Sequence, residues 1–235
     1  MTIAAARWLL YCLCVALLLL GVRPAAAVEP IRVILELQPD IDNGRRQFAI
    51  CARCHLPEAW GTRDGSYPQL AGQHVNVLMK QLLDIRSGRR ANPAMRPFVQ
   101  QRTIGGYQNL ADVVAYISTL PMTPAPDQGP WEPASAQFGE GAEIYASRCA
   151  SCHGIDGAGD NAQAYPRLQG QHYRYMQRQA RLVRDGLREV EAGMAAVFAA
   201  LTADQVDKAL NYVSYLPIPA ADLAPDADWR NPDFQ

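Results

Sequence analysis

Two cysteine–histidine motifs are the groups in this sequence most able to do chemistry. One is CARCH at 51–55 and the other is CASCH at 149–153. In each motif two thiols are separated by two residues, and an imidazole follows the second thiol directly. A Cys-x-x-Cys pair can form a redox-active disulfide, contribute half of a zinc site or attach a haem. The spacing within a single motif leaves these three uses open.

Haem attachment accounts for more of the pattern than the other uses. A thioredoxin-type site needs a strand–helix setting, and no segment alternates long enough to predict a strand. A zinc site made of four thiols would leave both histidines without a role. On one helical turn, two thiols can meet the two vinyl groups of a haem while the imidazole lies under its iron. The sequence therefore predicts two haem c groups with their irons, and two disulfides remain the alternative for an exported chain. The predicted residues are Cys51, Cys54, Cys149 and Cys152 for covalent attachment, and His55 and His153 for the iron.

The two motifs belong to a tandem repeat. The cysteines recur 98 positions later, and so does YPQLAGQH at 67–74, which becomes YPRLQGQH at 165–172. The last apolar segments of the two copies end at Pro121 and Pro217, an offset of 96. This repeat predicts two small domains, each with its own haem.

The elements that must position the motifs are predicted to be helices. Apolar spacing indicates a long helix closed by Gly88 in the first copy and by Gly186 in the second. Thr202 and Gln205 occupy the positions of a capping box at the start of the last helix. The predicted fold class is therefore all-α. The helices expected to end in the cysteine pairs cover 43–54 and 139–152.

The second axial ligand of each iron must come from outside the motifs, and histidine and methionine are common choices. Met95 and Met194 each follow the long helix of their copy by a loop, 40 and 41 residues after the motif histidine. Because these positions match, the repeat favours Met95 and Met194 as ligands. Met79 and Met176 do not recur at matched positions and are expected to be core residues, and Met122 has no counterpart in the second copy.

His74 and His172 form an alternative pair of iron ligands. Each follows a glycine–glutamine pair at the start of the long helix of its copy. As ligands they would give irons held by two histidines. As ordinary residues they would begin the helix and hydrogen-bond to a neighbouring group such as a haem propionate. The ordinary role is favoured, since the methionines fit the loop position better.

The N-terminus has the pattern of an export signal. Arg7 precedes an apolar run too short to span a bilayer comfortably, and Ala25 and Ala27 form an A-x-A pair. This predicts cleavage after Ala27 and a periplasmic location, with an uncleaved anchor as the alternative. The predicted divisions are a signal peptide at 1–27, an N-terminal haem domain at 28–122, a proline-rich linker at 123–137, and a C-terminal haem domain with an irregular tail at 138–235.

Over roughly residues 40–217 the chain resembles the dihaem c-type cytochromes of the cytochrome c4 family. The resemblance rests on both CxxCH motifs, the repeated YPxLxGQH stretch, the two methionine loops and the paired terminal helices. It implies two tandem class I cytochrome c domains, each wrapped around one haem, with the haems near the domain interface. It also implies one iron held by His55 and Met95 and the other by His153 and Met194.

The resemblance further implies that the backbone carbonyls of Pro68 and Pro166 accept the Nδ1 protons of the two motif histidines, which would fix the rings. The family has glycine after the haem histidine, whereas this chain has Leu56 and Pro57 after the first one. The first haem pocket is therefore expected to differ. The extension at 31–42 and the C-terminal tail are further departures that could dock a partner.

An iron with histidine below and methionine above has no open position, which favours electron transfer over catalysis. We expect a periplasmic carrier without catalytic residues, working between a respiratory donor (a quinol–cytochrome reductase or a dehydrogenase) and a terminal oxidase or reductase. One alternative is an electron-accepting subunit of a sulfide- or thiosulfate-oxidising dehydrogenase, and another is a dihaem peroxidase. Redox proteins are the expected partners, with peripheral membrane association possible in principle. The net charge of −1 gives no sign of nucleic-acid binding, and no small-molecule substrate is expected.

Overall fold

The structure is a computed structural model that describes residues 34–234. The predicted signal peptide lies outside these residues. The described residues form helices, and their only β-type pairing is three isolated bridges. This confirms the all-α fold. The helices are α1 (Ile41–His55), α2 (Val75–Ser87), α3 (Gln101–Ile104), α4 (Tyr107–Ile117), α5 (Ala136–Arg148), α6 (Ala150–His153), α7 (Tyr173–Arg184), α8 (Ala192–Ala200) and α9 (Ala203–Ser214), followed by short 3₁₀ turns at Ala220–Asp222 and Pro232–Phe234. Between 34 and 234, none of these helices has the length and apolar character needed to cross a membrane.

Each domain is built around one pair of crossing helices, α1 with α4 and α5 with α9. A glycine lies at each crossing. A Cβ atom built on Gly44 would lie 2.1 Å from the Asp112 carbonyl oxygen, and one on Gly141 would lie 2.2 Å from that of Lys208. Glycine is thus what allows the two backbones to approach so closely.

The helix that carries the cysteines is continuous in the first domain and broken in the second. Seven positions separate Gly44 from Cys51, but eight separate Gly141 from Cys149. At the extra residue, Cys149, the helix is distorted, with φ −115° and ψ −37°, and a new short helix begins at the next residue. The break absorbs the insertion, so both motifs still end in a helical turn.

Capping residues fix several helix ends. Thr202 and Gln205 form the predicted capping box, with the side chain of each accepting a hydrogen bond from the backbone of the other. Gly88 ends α2 in the left-handed conformation, with φ 88°. Ser135 accepts a hydrogen bond from the Phe138 amide at the start of α5. These helix boundaries therefore follow from local sequence.

The segment predicted to be a linker packs against the second domain. The Trp131 amide donates to Asn211 Oδ1 over 2.9 Å, and Asn211 Nδ2 donates back to the Trp131 carbonyl over 2.8 Å. The Gly129 amide donates to the Ser214 hydroxyl at 2.9 Å. Since both Asn211 and Ser214 are buried, the linker is held in place by hydrogen bonds as well as stiffened by its prolines.

Candidate functional site: two cysteine–histidine motifs across a pseudo-twofold interface

The last turn of α1 presents the first motif. Cys51 and Cys54 lie half-buried, one turn apart, and His55 is the final helical residue, with 4% of its surface exposed. The ring nitrogen Nδ1 of His55 is 3.1 Å from the Pro68 carbonyl oxygen. The chain reverses after the histidine, and the Gly61 amide donates to the His55 carbonyl over 2.9 Å.

Helix α6 presents the second motif in the same way. His153 is its final residue and is 5% exposed. Its Nδ1 is 2.9 Å from the Pro166 carbonyl oxygen. The Gly159 amide donates to the His153 carbonyl over 2.8 Å. The two histidines therefore have matching surroundings in the two domains.

These contacts define the chemical state of both imidazoles. A carbonyl oxygen only accepts hydrogen bonds, so Nδ1 of His55 and of His153 carries the proton and donates it. The other nitrogen, Nε2, keeps its lone pair. Burial lowers the pKa of both rings, against the opposing effect of the carbonyl hydrogen bond. A neutral, oriented imidazole with a free Nε2 lone pair is the form that binds a metal.

The thiols of the motifs are free in the structure. All four cysteines between 34 and 234 lack a disulfide partner. Burial raises the pKa of Cys51 and of Cys149 to about 11, so neither is activated as a thiolate nucleophile. Over the same residues no three side chains of histidine, cysteine, aspartate or glutamate converge on one point. The zinc alternative needs four such ligands together, and this arrangement does not supply them.

The methionines divide into two groups. Met79, Met122 and Met176 are between 1% and 5% exposed, so their side chains are buried among other residues of the protein. Met95 and Met194 are only partly buried. These are the two methionines that the repeat favours as ligands. Their backbones differ, because Met95 lies in a turn where Asn92 Oδ1 accepts from its amide at 3.1 Å.

The expectation that both methionines lie in loops is wrong for Met194. It lies in the first turn of α8, which runs from Ala192 to Ala200. This segment, AGMAAVFAA, is rich in alanine, the best helix former. The corresponding part of the first domain, NPAMRPF, contains two prolines, which prevent a regular helix there. Local helix propensity therefore places Met194 on a helix and Met95 in a turn.

His74 and His172 lie at the domain interface, where each bonds to the opposite domain. His74 Nε2 donates to the Ala158 carbonyl over 2.8 Å, and His172 Nε2 donates to the Trp60 carbonyl over 2.7 Å. Trp60 and Ala158 are themselves 98 positions apart, so the two contacts are related by a pseudo-twofold axis. His172 is 1% exposed, and its Nδ1 accepts from the Asp127 amide at 3.0 Å. Both ring nitrogens of His172 therefore make hydrogen bonds within the protein. This supports a structural role for His172 over a role as an iron ligand.

Two glutamines extend the pseudo-twofold pattern. Gln73 donates to the Arg167 carbonyl and accepts from the Arg167 amide, with both distances 3.0 Å. Gln171 makes the same pair of bonds to the backbone of Gln69, at 2.9 and 3.0 Å. Gln73 and Gln171 are repeat equivalents, and so are Gln69 and Arg167. Sequence reasoning did not identify these residues, although the glutamines recur in the matched stretch.

Two arginines also meet at the interface. Arg90 and Arg188, again 98 positions apart, pair as an isolated antiparallel bridge. Arg90 donates to Gln179 and to the Tyr175 hydroxyl at 3.0 Å each, and Arg188 donates to Gln179 at 2.8 Å. Burial, and then the neighbouring Arg90, lower the pKa of Arg188 to about 10.

This arginine pair suits a group that carries carboxylates. Among residues 34–234 neither Arg90 nor Arg188 forms an ion pair. Arg188 Nε is moreover a buried donor without a hydrogen-bond partner. Two adjacent cations without an acidic partner are costly unless an anion meets them. Haem carries two propionates, so the residues present fit such a group.

Sequence comparisons place this chain in a known family. The cytochrome c family model matches twice in tandem, at residues 41–121 and 138–217. The chain therefore belongs to the cytochrome c family. A cytochrome c4 from Thiocapsa roseopersicina is 35% identical over 164 residues, which is 66% of this chain and 81% of that protein. A thiosulfate dehydrogenase electron acceptor from Stutzerimonas stutzeri strain A1501 is 32% identical over 208 residues, 80% of this chain and 92% of that one.

Solved structures show the same relationship. The reduced cytochrome c4 from Pseudomonas stutzeri superposes with a TM-score of 0.64 at 25% identity, covering 77% of this chain and all of that one. A thiosulfate dehydrogenase from Marichromatium purpuratum gives 0.61 at 28% identity, covering 76% of this chain and 40% of that one. With two cytochrome c domains, the protein is a dihaem electron-transfer protein similar to cytochrome c4, with two covalently bound haem c groups.

Proposed function

We propose that this protein is a periplasmic electron carrier whose two haems are each held by a histidine and a methionine. The observation that carries the proposal is the pair of equivalent imidazoles, His55 and His153, each oriented by a proline carbonyl with its Nε2 lone pair available. Bound haem supplies the one-electron redox couple. The chain attaches it, fixes the ring of the histidine ligand and excludes solvent around that ring.

The proposed attachment uses Cys51 and Cys54 in the first domain, and Cys149 and Cys152 in the second. Met95 and Met194 are the proposed second axial ligands. Support comes from their matched distance from the motif histidine and from their partial exposure, in contrast to the three methionines consumed by packing. Ligation by methionine favours a relatively high potential and leaves no position for substrate.

A spectroscopic titration of the purified dihaem protein tests this assignment. We expect two low-spin haems per chain, both with the charge-transfer band of methionine-ligated ferric iron. Met95→Ala and Met194→Ala should each remove half of that band, while the core variant Met176→Leu should leave it intact. Retention of the full band in either alanine variant would show that the ligand is another residue.

The interface supports electron exchange within one molecule. Hydrogen bonds from side chain to backbone join the two domains at His74, His172, Gln73 and Gln171. They involve the segments that directly follow, or cover, the motif histidines. Such an interface holds the two haems at a fixed separation, so the chain can accept an electron at one domain and release it from the other.

A second candidate function is electron acceptance within a thiosulfate-oxidising system. It is favoured by the similarity to the electron acceptor of thiosulfate dehydrogenase, which extends over 92% of that protein. A purified thiosulfate dehydrogenase with thiosulfate should then reduce both haems rapidly and form a complex that co-elutes in gel filtration. Fast reduction by a quinol–cytochrome reductase, together with slow reduction by the dehydrogenase, would favour the respiratory carrier.

A dihaem peroxidase is the least supported candidate, because it needs one iron with a labile sixth ligand. A high-spin haem in the resting protein, with turnover of hydrogen peroxide, would favour it over both carrier roles.

Export is part of the proposal and is tested by mass spectrometry of the mature protein, which should begin at Val28. A chain that keeps residues 1–27 and fractionates with membranes would indicate the anchored form.

A further inference from the structure

The tail that follows the second domain packs on the first domain. The Met122 amide donates to the Asp222 carbonyl over 2.8 Å, and the Ala224 amide donates to the Met122 carbonyl over 2.9 Å. Ala224 is 4% exposed and belongs to the core cluster of the first domain. The tail is therefore fixed in place, and the expectation of an irregular tail misses its two 3₁₀ turns and its packing.

Two aromatic residues anchor the tail beyond this point. The ring of Trp229 lies 5.8 Å from that of Trp60, and the ring of Phe234 lies 5.9 Å from that of Phe48 with an edge-on orientation. Both distances are typical of favourable aromatic pairs. Trp60 is five residues beyond His55, and Phe48 lies in α1 ahead of Cys51. The tail thus brackets the first motif from both sides.

Asn231 connects the tail to the segment after the first histidine. It is 2% exposed, and its Nδ2 donates to the Pro57 carbonyl over 2.6 Å and to the Tyr116 hydroxyl over 3.0 Å. Its Oδ1 accepts from the Asp233 amide at 3.1 Å, while the Tyr116 hydroxyl donates to Asp233 Oδ2 over 2.8 Å. Every polar atom of the Asn231 side chain is used, as expected of a buried amide that specifies one position.

The second domain anchors the equivalent turn from within, at a carbonyl one residue nearer its motif histidine. The Tyr145 hydroxyl donates to the carbonyl of Gly154, the residue after His153, over 2.7 Å. Phe48 occupies the place of Tyr145 in the first domain, since each ring packs on the matched tyrosine of the last helix of its domain. Phenylalanine has no hydroxyl, so it cannot donate to the turn after His55. Asn231 supplies a donor to that turn from the other end of the chain.

We propose that the C-terminal tail is a positioning element for the first haem only, with Asn231 as the residue that fixes the turn after His55. This rests on the proposed role of His55 as a ligand of the first iron. Residues 220–234 complete the cover of the first haem pocket and fasten it to the second domain. In the second domain, Tyr145 of the same domain holds the turn after His153.

The physical consequence is a difference in reduction potential that depends on the tail. Ferric haem carries one more positive charge than ferrous haem, and water stabilises the more charged form. A cover that excludes water therefore raises the potential. Removal of the tail admits water near Trp60 and His55, so the potential of the first haem should fall. The second haem lies outside this cover and should keep its potential.

The test is a potentiometric titration of the holoprotein, with hyperfine-shifted haem methyl signals in proton NMR to identify each haem. The variants are Asn231→Ala and a chain that ends at Pro219, and the control is Ala227→Ser at an exposed tail position. Asn231→Ala should change the equilibrium constant for electron exchange between the haems at least threefold, about 28 mV at 59 mV per tenfold. The truncated chain should show a larger change in the same direction, and the control none.

A second measurement separates positioning from general stability. In Asn231→Ala, amide hydrogen exchange should accelerate in 56–61 and remain unchanged in the equivalent segment 154–159. Tyr145→Phe should produce the mirror result, affecting the second segment and the second haem. Equal shifts of both potentials, or no shift with unchanged exchange, would overturn the proposal. A failure of the haem assignment itself would be seen separately, as a wild-type spectrum without two histidine–methionine haems.

Discussion

The turn after the haem histidine has the same path in both domains but different residues. In the second domain Gly154 and Gly157 adopt positive φ angles of 78° and 74°, where glycine is at ease. In the first domain the same positions are Leu56 and Ala59, with φ 66° and 59°. A residue with a Cβ is strained at such positive φ angles, by roughly 1–3 kcal/mol each. The first turn is thus intrinsically less favourable.

The two copies of the repeat therefore keep the same turn geometry with different supporting residues. In the second domain glycines and Tyr145 hold the turn locally. In the first domain, Asn231 and Trp229 of the tail contact the turn. The core of this domain also includes Ile34 from the N-terminal extension and Ala224 from the tail. The core cluster of the first domain is accordingly much larger than that of the second. We infer that packing in this larger core offsets the backbone strain of the first turn.

Removing the cysteines of one attachment motif should reveal the largest difference in stability between the two domains. The double variant Cys51→Ala with Cys54→Ala should yield a chain with one haem, and Cys149→Ala with Cys152→Ala should do the same. The first variant should keep its fold better, because its larger protein core depends less on the cofactor. Haem quantification and thermal unfolding by circular dichroism measure both effects. Equal loss of structure in the two variants would contradict the compensation by packing.

The helix crossings should be sensitive to a similar degree in both domains. Gly44→Ala and Gly141→Ala each place a methyl group against backbone, so we expect a loss of about 2–3 kcal/mol of unfolding free energy. Gly139→Ala is the matched control, since it lies in the same helix as Gly141 with no atom within 4 Å of an added Cβ. It should stabilise α5 by about 0.5–1 kcal/mol. Denaturant titration of the holoprotein checks all three.

Exchanging residues at the strained turn should shift stability in opposite directions. Leu56→Gly removes an exposed side chain at positive φ, and we expect the first domain to gain about 1 kcal/mol. Gly157→Ala introduces that strain into the second domain, where the new Cβ would also lie 2.9 Å from Leu216 Cδ1. A loss of about 1–2 kcal/mol is expected there. Domain-resolved hydrogen exchange measures each change, and a stabilised Gly157→Ala variant would show that positive φ does not strain this turn.

The interface should weaken mildly in acid through His172. Burial lowers its pKa below 6.5, although the Trp60 carbonyl and Asp127 act in the opposite direction. The unfolded chain therefore binds more protons than the folded one, and stability falls as the pH drops below about 6.5. Arg63 and Asp64 are the other charged groups that act on this ring, with opposite signs. His172→Gln should reduce the pH dependence between 7 and 5, as measured by denaturant unfolding, and His74→Gln serves as the comparison.

Much of this architecture follows from the sequence because its signals are local or repeated. The capping box at Thr202, the left-handed end at Gly88 and the all-α fold arise from short-range preferences and are confirmed. The haem motifs are recognisable because cysteine and histidine chemistry fixes their spacing. The histidine–carbonyl bonds to Pro68 and Pro166 were implied by the resemblance, and the same bonds are present in the structure.

What the sequence did not reveal depends on contacts between distant segments. The bond between Asn231 and Pro57 joins residues 174 positions apart, and no periodic pattern indicates it. The helix around Met194 was missed because the matched segment around Met95 contains prolines, so the comparison of the copies suggested two loops. The interface glutamines lie within the recurring stretch, but recurrence alone does not show whether a residue faces its own haem or the other domain.

The bonds made by Gln73 and Gln171 affect how the two halves of the chain assemble. Each glutamine side chain pairs with a backbone amide and carbonyl, so the contact does not depend on which side chain stands at the receiving position. Contacts that exchange partners across a twofold axis are those of a symmetric homodimer. The linker turns such a self-complementary surface into an intramolecular one. Assembly of the two halves is thereby independent of protein concentration, as expected for tethered partners.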